Sequence, residues 1–363
     1  MSALVRESRV AYLGPDDGVP DAGGAEVVDA TGATIVPGLV DCHAHFTGLG
    51  GANWIARFGD PEAELLARGD DAARDLVRMG VLTARDVGAP RRLNLRIRDK
   101  LRGRPDAPEI LAAGTWLARR DKFPPFVVFV DSGEELRRAA VAEIDAGADL
   151  VKIAVDTGRL GHEVTFTVDE LAPTVDAVHA RGKRITAHAQ GRGAAVAAAA
   201  GVDSIEHGFG VDAATAQRMS GRTTLVTTLS VLESFIGFAS TAGGRFEETR
   251  DASAALLEQA FAAVRAANSA RVRIATGSDF GGGSVRPGHL AWEVELLVRA
   301  GLEPYEALAS ATWVGGELLG VAHAGTISEG GTASLVLVHG DPLSDPAALW
   351  RVWRVYHRGV RVK

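Results

Sequence analysis

The sequence has almost no cysteine: Cys42 is the single one among its 363 residues. One cysteine excludes an internal disulfide framework, which fits a chain that folds in a reducing compartment. No apolar run approaches the roughly 18 residues that a membrane helix needs, and charged residues interrupt the N-terminal segment before an apolar leader develops. We therefore expect a globular protein of the cytoplasm without a membrane partner.

An excess of positive charge is also lacking. The chain has 39 Lys and Arg residues against 46 Asp and Glu residues, which gives a formal net charge of -7. Its arginine clusters are interleaved with acidic residues, so the sequence offers no basic stripe for a polyanion. We expect no nucleic-acid partner, whereas the hydrophobic content of 46% is enough to bury a large core.

Short apolar segments do alternate regularly along the chain with amphipathic or alanine-rich ones. Ser132 with Glu135 and Thr167 with Glu170 have the spacing of helix capping boxes. The alternation predicts strands at residues 39–45, 81–87, 109–115, 150–155, 184–189, 204–208, 224–230 and 273–279. Eight strand–helix units indicate an α/β fold, the (β/α)8 TIM barrel, in which functional side chains lie at the C-terminal ends of the strands.

The two chain ends lie outside these eight units and resemble each other in composition. Residues 1–37 and 322–363 are both strand-like and rich in Gly and Val. We predict that they form one small β-sandwich-like domain, next to a barrel made of residues 38–321. In particular, residues 27–30 and 332–338 are expected to share a sheet.

Histidines recur at the ends of the predicted strands. In VPGLVDCHAHF, residues 36–46, His43 and His45 project from the same face of a strand, where two imidazoles can bind one metal ion. The pair alone is equally compatible with two ordinary half-buried histidines. His188, His207 and Asp279, however, close three further strands of the same barrel. Joint placement at one rim favours a common site, although each of the later histidines, taken singly, could be a core residue.

Lys152 is the other unusual polar residue, because it lies within an apolar predicted strand, LVKIAV at residues 150–155. A lysine in a barrel core is costly unless its charge is paired or neutralised. The alternative is a side chain whose apolar stem lies in the core while its amine reaches solvent. Cys42 points to the face opposite His43 and is expected to serve in packing.

At these residues the sequence resembles the amidohydrolase superfamily of metal-dependent hydrolases, particularly its imidazolonepropionase-like and Xaa-Pro dipeptidase (prolidase-like) branch. The motifs that carry the resemblance are PGLVDCHAH, TARDVG, DLVKIAVDTG, ITAHAQG, GVDSIEHG, ATGSDFG and GTISEGGTASLVLVHGDPL. The resemblance implies that His43, His45 and Asp279 bind one divalent ion and that His188 and His207 bind another. It also implies that Lys152, carboxylated on its amine, bridges the two. Zinc is the first choice for such ligands, with manganese, iron or cobalt as alternatives.

The resemblance implies an enzyme that hydrolyses an amide, lactam or dipeptide-like C–N bond of a small molecule through a metal-bridging hydroxide. Asp279 would move the proton from water to the leaving group. The same centre could serve a lyase, a decarboxylase, or an ester or ring-opening hydrolase. A non-catalytic scaffold is disfavoured, because it would need no such ligand set. Homo-oligomerisation is left open.

Substrate contacts are less well defined. Gln190 stands where the family often has a second histidine, and His162 and His289 follow strands on the substrate side, where each could equally be structural. The loop of residues 115–132 contains Arg119, Arg120 and Phe123, which could form a lid with a cation for a carboxylate, or a solvated charge cluster. The apolar segment 229–238 could form a further wall of the site.

Overall fold

The computed structural model of the protein describes residues 1–51, 53–157, 163–241 and 247–363. The strands of these residues are β1 (Ser2–Arg6), β2 (Arg9–Gly14), β3 (Ala33–Pro37), β4 (Leu39–Ala44), β5 (Val81–Asp86), β6 (Glu109–Ala112), β7 (Leu117–Arg119), β8 (Val128–Val130), β9 (Leu150–Ala154), β10 (Arg184–Ala189), β11 (Ser204–His207), β12 (Thr224–Thr227), β13 (Ile274–Thr276), β14 (Leu335–His339), β15 (Val352–His357) and β16 (Val360–Arg361).

The helices of the described residues are α1 (Trp54–Arg57), α2 (Glu62–Arg78), α3 (Leu93–Leu101), α4 (Gly133–Asp145), α5 (Val168–His179), α6 (Gly191–Ala200), α7 (Ala213–Met219), α8 (Leu229–Thr241), α9 (Glu247–Ser269), α10 (Leu290–Ala300), α11 (Pro304–Ser310) and α12 (Trp313–Leu319). The two predicted caps are present. The side chain of Ser132 accepts a hydrogen bond from the Glu135 amide, and Thr167 with Glu170 forms a reciprocal capping box.

Parallel strands form a closed barrel, which confirms the predicted TIM-barrel fold. Strands β4, β5 and β6 pair in order, and β9, β10, β11, β12 and β13 follow in the same direction. The barrel closes between its first and last strands, where the Asp279 amide donates to the His43 carbonyl at 2.8 Å. The C-terminal ends of all these strands therefore meet at one rim.

Three of the predicted barrel strands end three residues earlier than expected, the eighth barrel strand at Thr276. The third stops at Ala112 because the chain turns at Gly114, whose φ is 74°; the Glu143 carboxylate occupies the space that a Cβ would need there. The chain continues as β7, which pairs with β9. The seventh stops at Thr227, and α8 begins at Leu229, because the Glu293 carboxylate accepts the amide hydrogens of Leu229 and Ser230.

The chain ends form a separate antiparallel sheet with the order β16-β15-β14-β3. Its central pairing runs from Leu335 opposite Pro37 to His339 opposite Ala33, so the two ends do share a sheet. The strand is not residues 27–30, as predicted, but Ala33–Pro37; Val27 itself is 88% exposed. The boundaries 1–37 and 322–363 of a small domain stay a prediction. None of the described helices is long and apolar enough to span a membrane.

Candidate active site

A cavity of about 490 Å³ opens at the C-terminal rim of the barrel. The polar residues at its bottom, which we call the cavity base, come from the ends of four strands (β4, β10, β11 and β13) or the positions just after them, and from within β9. They are His43, His45, Lys152, His188, His207 and Asp279. Five of the six side chains are buried, and His188 is partly exposed. The six residues predicted as metal ligands therefore all line one cavity.

The members of the cavity base approach one another closely. Ligand atoms of His43, His207 and Asp279 lie within 4.8 Å of one another, which makes these three residues a possible metal-binding site. Asp279 Oδ1 lies 3.4 Å from Nε2 of His43 and 3.4 Å from Nε2 of His45. The rings of His188 and His207 have centroids 4.5 Å apart. Nitrogen and carboxylate donors in this arrangement suit a divalent transition metal.

Hydrogen bonds fix the orientation of His43 and His45. His43 Nδ1 lies 2.7 Å from Glu206 Oε2, and His45 Nδ1 lies 3.0 Å from the carbonyl oxygen of Gly88. A carbonyl oxygen only accepts hydrogen bonds, so in the neutral imidazole of His45 the proton lies on Nδ1 and the lone pair on Nε2. The same holds for His43 when Glu206 is ionised. Both lone pairs therefore face Asp279, as metal ligation requires.

The other two histidines differ in their surroundings. His207 Nδ1 lies 2.7 Å from the Thr228 hydroxyl, which leaves Nε2 for the cavity. His188 Nε2 lies 3.4 Å from Asp156 Oδ1 but has no hydrogen-bond partner among the described residues. An oxygen partner behind the imidazole, as at His43, His45 and His207, is the usual arrangement around a metal centre. The donor set of the cavity base thus fits divalent metal ions.

Glu206 connects the base to the interior of the barrel. It is fully buried, and Arg85 Nη2 donates to its Oε1 at 2.7 Å, while Arg85 Nε donates to the carbonyl oxygen of Cys42 at 2.6 Å. The hydroxyl groups of Thr186 and Ser204 also donate to Glu206. The charge of this buried carboxylate is paired and hydrogen-bonded, which is the condition under which such a group is tolerated.

Burial dominates the electrostatics of the base. Burial lowers the pKa of Lys152 to about 8, and burial likewise holds the pKa values of His43 and His207 below the ordinary value. For Asp279, burial acts to raise the pKa, but the neighbouring His43, His45 and Lys152 outweigh it and the pKa falls. Burial raises the pKa of Cys42 to about 12, which agrees with a packing role.

Two residues of the base have strained backbones. His207 has a φ of 67° and Asp279 a φ of 52°, in the left-handed region that favours glycine. Non-glycine residues in this region cost free energy and are concentrated at functional sites. The chain therefore bends sharply at the ends of the sixth and eighth barrel strands, where it delivers these side chains to the cavity.

Above the base the cavity is apolar, and we call this part the cavity wall. Its aromatic members are Trp54, Trp116, Phe123, Phe126, Phe209 and Phe235, and its aliphatic members from α8 and α9 are Val231, Leu232 and Leu256. The Trp116 ring packs edge-on against His45 at a centroid distance of 4.7 Å, and Phe123 packs against His188 at 5.4 Å. The wall thus begins directly at the base.

The predicted substrate contacts are only partly at the cavity. Phe123 and Gln190 line it. Arg119 and Arg120 are not among the lining residues, because Glu170 and Asp131 bind their guanidinium groups elsewhere. His289 packs on Trp350, with ring centroids 5.3 Å apart, and also lies off the cavity.

Substrate contact by Arg119, Arg120 and His289 stays a prediction, and the structure places all three side chains off the described cavity. His162 lies outside the described residues. The sequence analysis did not identify the hydrogen-bond partners of the histidines, which are Glu206, Thr228 and the Gly88 carbonyl, or the neighbouring Asp156. Glu206 directly precedes the predicted ligand His207, and this was a signal available in the sequence.

Comparison with known proteins agrees with this geometry. Residues 34–362 match the amidohydrolase family. An uncharacterised protein of Mycobacterium tuberculosis is 32% identical over 346 residues, covering 94% of this chain and 88% of that protein. The ochratoxinase of Aspergillus niger is 27% identical over 399 residues, covering 97% and 81%. The solved structure of a Xaa-Pro dipeptidase with bound methionine has a TM-score of 0.85 at 26% identity, covering 99% and 94%.

The chain therefore belongs to the amidohydrolase family, as the sequence motifs predicted. It is an enzyme that acts on carbon–nitrogen bonds, and its general activity is the hydrolysis of amide bonds in small molecules.

Proposed function

We propose that the protein hydrolyses the C–N bond of an amide, lactam or dipeptide-like substrate with the help of two divalent metal ions. The observation that carries the proposal is the convergence of His43, His207 and Asp279, whose ligand atoms lie within 4.8 Å of one another below an apolar wall. In the proposal, one ion is held by His43, His45 and Asp279, and the other by His188 and His207. Lys152, once carboxylated, would supply oxygen ligands to both, and zinc is the first candidate metal.

When bound, divalent ions would lower the pKa of a water molecule towards neutrality and polarise the scissile carbonyl group. Asp279 accepts the proton of the attacking water and passes it to the departing nitrogen. A C–O bond forms and the C–N bond breaks, so the products are a carboxylic acid and an amine. Oδ1 of Asp279 faces both His43 and His45, which supports this role.

Other residues orient the histidine ligands and surround the scissile bond. Glu206 and the Gly88 carbonyl fix the rings of His43 and His45, so the imidazole nitrogens do not have to reorient during turnover. The cavity wall excludes bulk water around the scissile bond, which strengthens the interactions of the charged base with the substrate.

Metal analysis tests the proposal. Protein prepared with added divalent metal and bicarbonate is expected to bind close to two ions per chain, with a carbamate on Lys152 visible by nuclear magnetic resonance after ¹³C-bicarbonate labelling. The same protein should hydrolyse members of a panel of N-acyl amino acids, dipeptides, lactams and esters. At most one ion with an unmodified Lys152 would replace the binuclear mechanism by a mononuclear one. Turnover of the panel only by elimination or decarboxylation would favour a lyase.

We also propose that the enzyme works in the cytoplasm. Its single cysteine, Cys42, is buried and free, as is usual for proteins of a reducing compartment. Fractionation of the source cells followed by immunoblotting tests this location, and recovery in a secreted or periplasmic fraction would contradict it.

A further inference from the structure

Building on the proposed function, we propose that the substrate is an uncharged amide with apolar groups on both sides of the scissile bond, and that a carboxylate on the substrate is disfavoured. Three observations carry this inference: the aromatic side of the cavity wall, the aliphatic side opposite, and the positions of the neighbouring cationic side chains.

Aromatic rings contact the cavity base directly. Trp116 lies 4.7 Å from His45 and 4.8 Å from Phe126, measured between ring centroids. Phe123 lies 5.4 Å from His188, and Phe209 lies 5.6 Å from His207. A substrate whose carbonyl carbon reaches the base therefore places the attached group against aromatic rings. Aromatic or bulky apolar groups gain most from such a contact.

The other side of the wall comes from α8 and α9. Val231, Leu232, Phe235 and Leu256 line the cavity there. The buried carboxylate of Glu293 accepts both amide hydrogens at the start of α8, at 2.8 Å each, which holds this helix against the barrel. With a volume of about 490 Å³, the cavity is large enough for a small organic molecule with an apolar group on each side of its amide.

Three cations that precede Phe123 in the loop above the cavity are already paired. Arg119 donates to Glu170 at 2.5 Å, Arg120 donates to Asp131 at 2.8 Å, and Lys122 donates to Glu163 at 2.8 Å. Among the described residues that line the cavity, Lys152 is the one Lys or Arg, and its amine belongs to the proposed metal centre. A substrate carboxylate in the wall would lose its hydration without gaining an ion pair.

Neutral hydrogen-bonding groups are present instead. Oε1 of Gln190 and the hydroxyl of Ser284 line the cavity and are buried without a hydrogen-bond partner among the described residues. Buried polar atoms of this kind favour a ligand that completes their hydrogen bonds. An amide N–H or a neutral carbonyl group of the substrate suits them without adding charge.

A matched substrate pair tests the inference. N-benzoylpyrrolidine and N-benzoylproline have the same scissile amide and differ only in the carboxylate. We expect kcat/KM for N-benzoylpyrrolidine to be roughly 10-fold higher or more, because the carboxylate is desolvated without a partner. The non-hydrolysable N-(phenylsulfonyl)pyrrolidine and N-(phenylsulfonyl)proline provide a binding readout by calorimetry, and the neutral compound should bind more tightly by a similar factor.

A charge introduced into the wall should reverse the preference. Phe123→Arg places a cation beside His188 at a partly exposed position. We expect it to shift the kcat/KM ratio of the benzoyl pair and the affinity ratio of the sulfonyl pair towards the proline compounds by roughly 10-fold each. Phe123→Leu is the matched control, which keeps the wall apolar and should keep the wild-type ratios.

Failure of the inference can be told apart from failure of the proposed function. Hydrolysis with equal rates, or with a preference for N-benzoylproline, overturns the inference and leaves the hydrolase proposal intact. Absence of hydrolysis together with tighter binding of the neutral sulfonamide contradicts the hydrolase proposal and supports the inference. Tighter binding of the carboxylated sulfonamide overturns the inference whatever the rates are.

Discussion

The cavity base and the cavity wall face the same space but are built differently. The base consists of polar side chains on strands or just after them, and its histidines are oriented by oxygen atoms from neighbouring strand ends. The wall consists of apolar side chains from loops and from helices such as α8 and α9, which pack through ring contacts and aliphatic surface. Hydrogen-bonded polar groups thus lie below apolar ones that have no such partners to orient them.

We therefore expect the cavity base to determine metal binding and turnover, and the cavity wall to determine which substrate is chosen. Replacing a residue of the base leaves a buried polar partner unsatisfied, so a large loss of metal binding or turnover is expected. Replacing a residue of the wall changes contact area and shape, which alters the choice of substrate more than the rate of the chemical step. The following predictions test this separation.

The largest effect is expected for Asp279→Asn. The amide keeps the shape and one oxygen ligand but loses the basic carboxylate, so turnover should fall by roughly 100- to 10,000-fold while metal is at least partly retained. Turnover and metal stoichiometry are measured on the same preparation. Near wild-type turnover with both ions bound would reduce Asp279 to a ligand at most.

Lys152→Ala is expected to lose metal binding, whereas Asp279→Asn mainly loses turnover. The variant lacks the proposed bridge, so it should lose bound metal, and formate or propionate should partly restore metal binding because a free carboxylate can occupy the vacated space. Lys122→Ala is the control, because Lys122 binds Glu163 off the cavity and should not affect metal content. Full metal occupancy in Lys152→Ala would contradict the bridging role.

Glu206→Gln should weaken metal binding by roughly 10- to 100-fold, the usual cost of losing the oxygen partner of a ligating histidine. Competition with a chelator measures the affinity. Glu143→Gln is a matched control: Glu143 is also buried and binds an arginine, Arg92, but it does not contact the base. Both variants should lose folding stability, and only Glu206→Gln should lose metal affinity. An equal loss of affinity in both would indicate a general structural effect.

The smallest effect on turnover is expected for Glu293→Gln, which changes the hydrogen bonds that hold the first residues of α8. Burial raises the pKa of Glu293 from 4.5 to about 7, so its favourable contribution exists at low pH and is lost as pH rises through 7. Between pH 5 and 8, the free energy of unfolding of the wild type should fall relative to the variant by about 1–3 kcal/mol.

Denaturant unfolding at both pH values measures this difference. The amide satisfies only one of the two backbone donors, so the variant carries a constant cost at every pH. Metal affinity should be unchanged, and turnover should change by only a few-fold. A difference in stability that does not vary with pH would show that the carboxyl group of Glu293 is not perturbed in the fold.

Much of the scaffold was predictable from the sequence because strand periodicity is a local property. The apolar segments identified the barrel strands, and the polar residues that end them, such as His43 and His207, identified the rim. The shared sheet of the two chain ends was also predicted. The segment 27–30 was misassigned because short Val-rich stretches resemble strands whether or not a partner strand is available.

The sequence by itself determined the order of the strands, the family motifs and the residues available to bind metal, since these depend on side-chain identity and spacing along the chain. Only the tertiary structure decided which oxygen atoms lie behind each histidine and where the arginines point. Glu206 meets His43 across 163 positions of sequence, and Arg119 turns to Glu170 rather than to the cavity. Such pairings arise when the barrel closes, because closure brings distant strand ends within hydrogen-bonding distance.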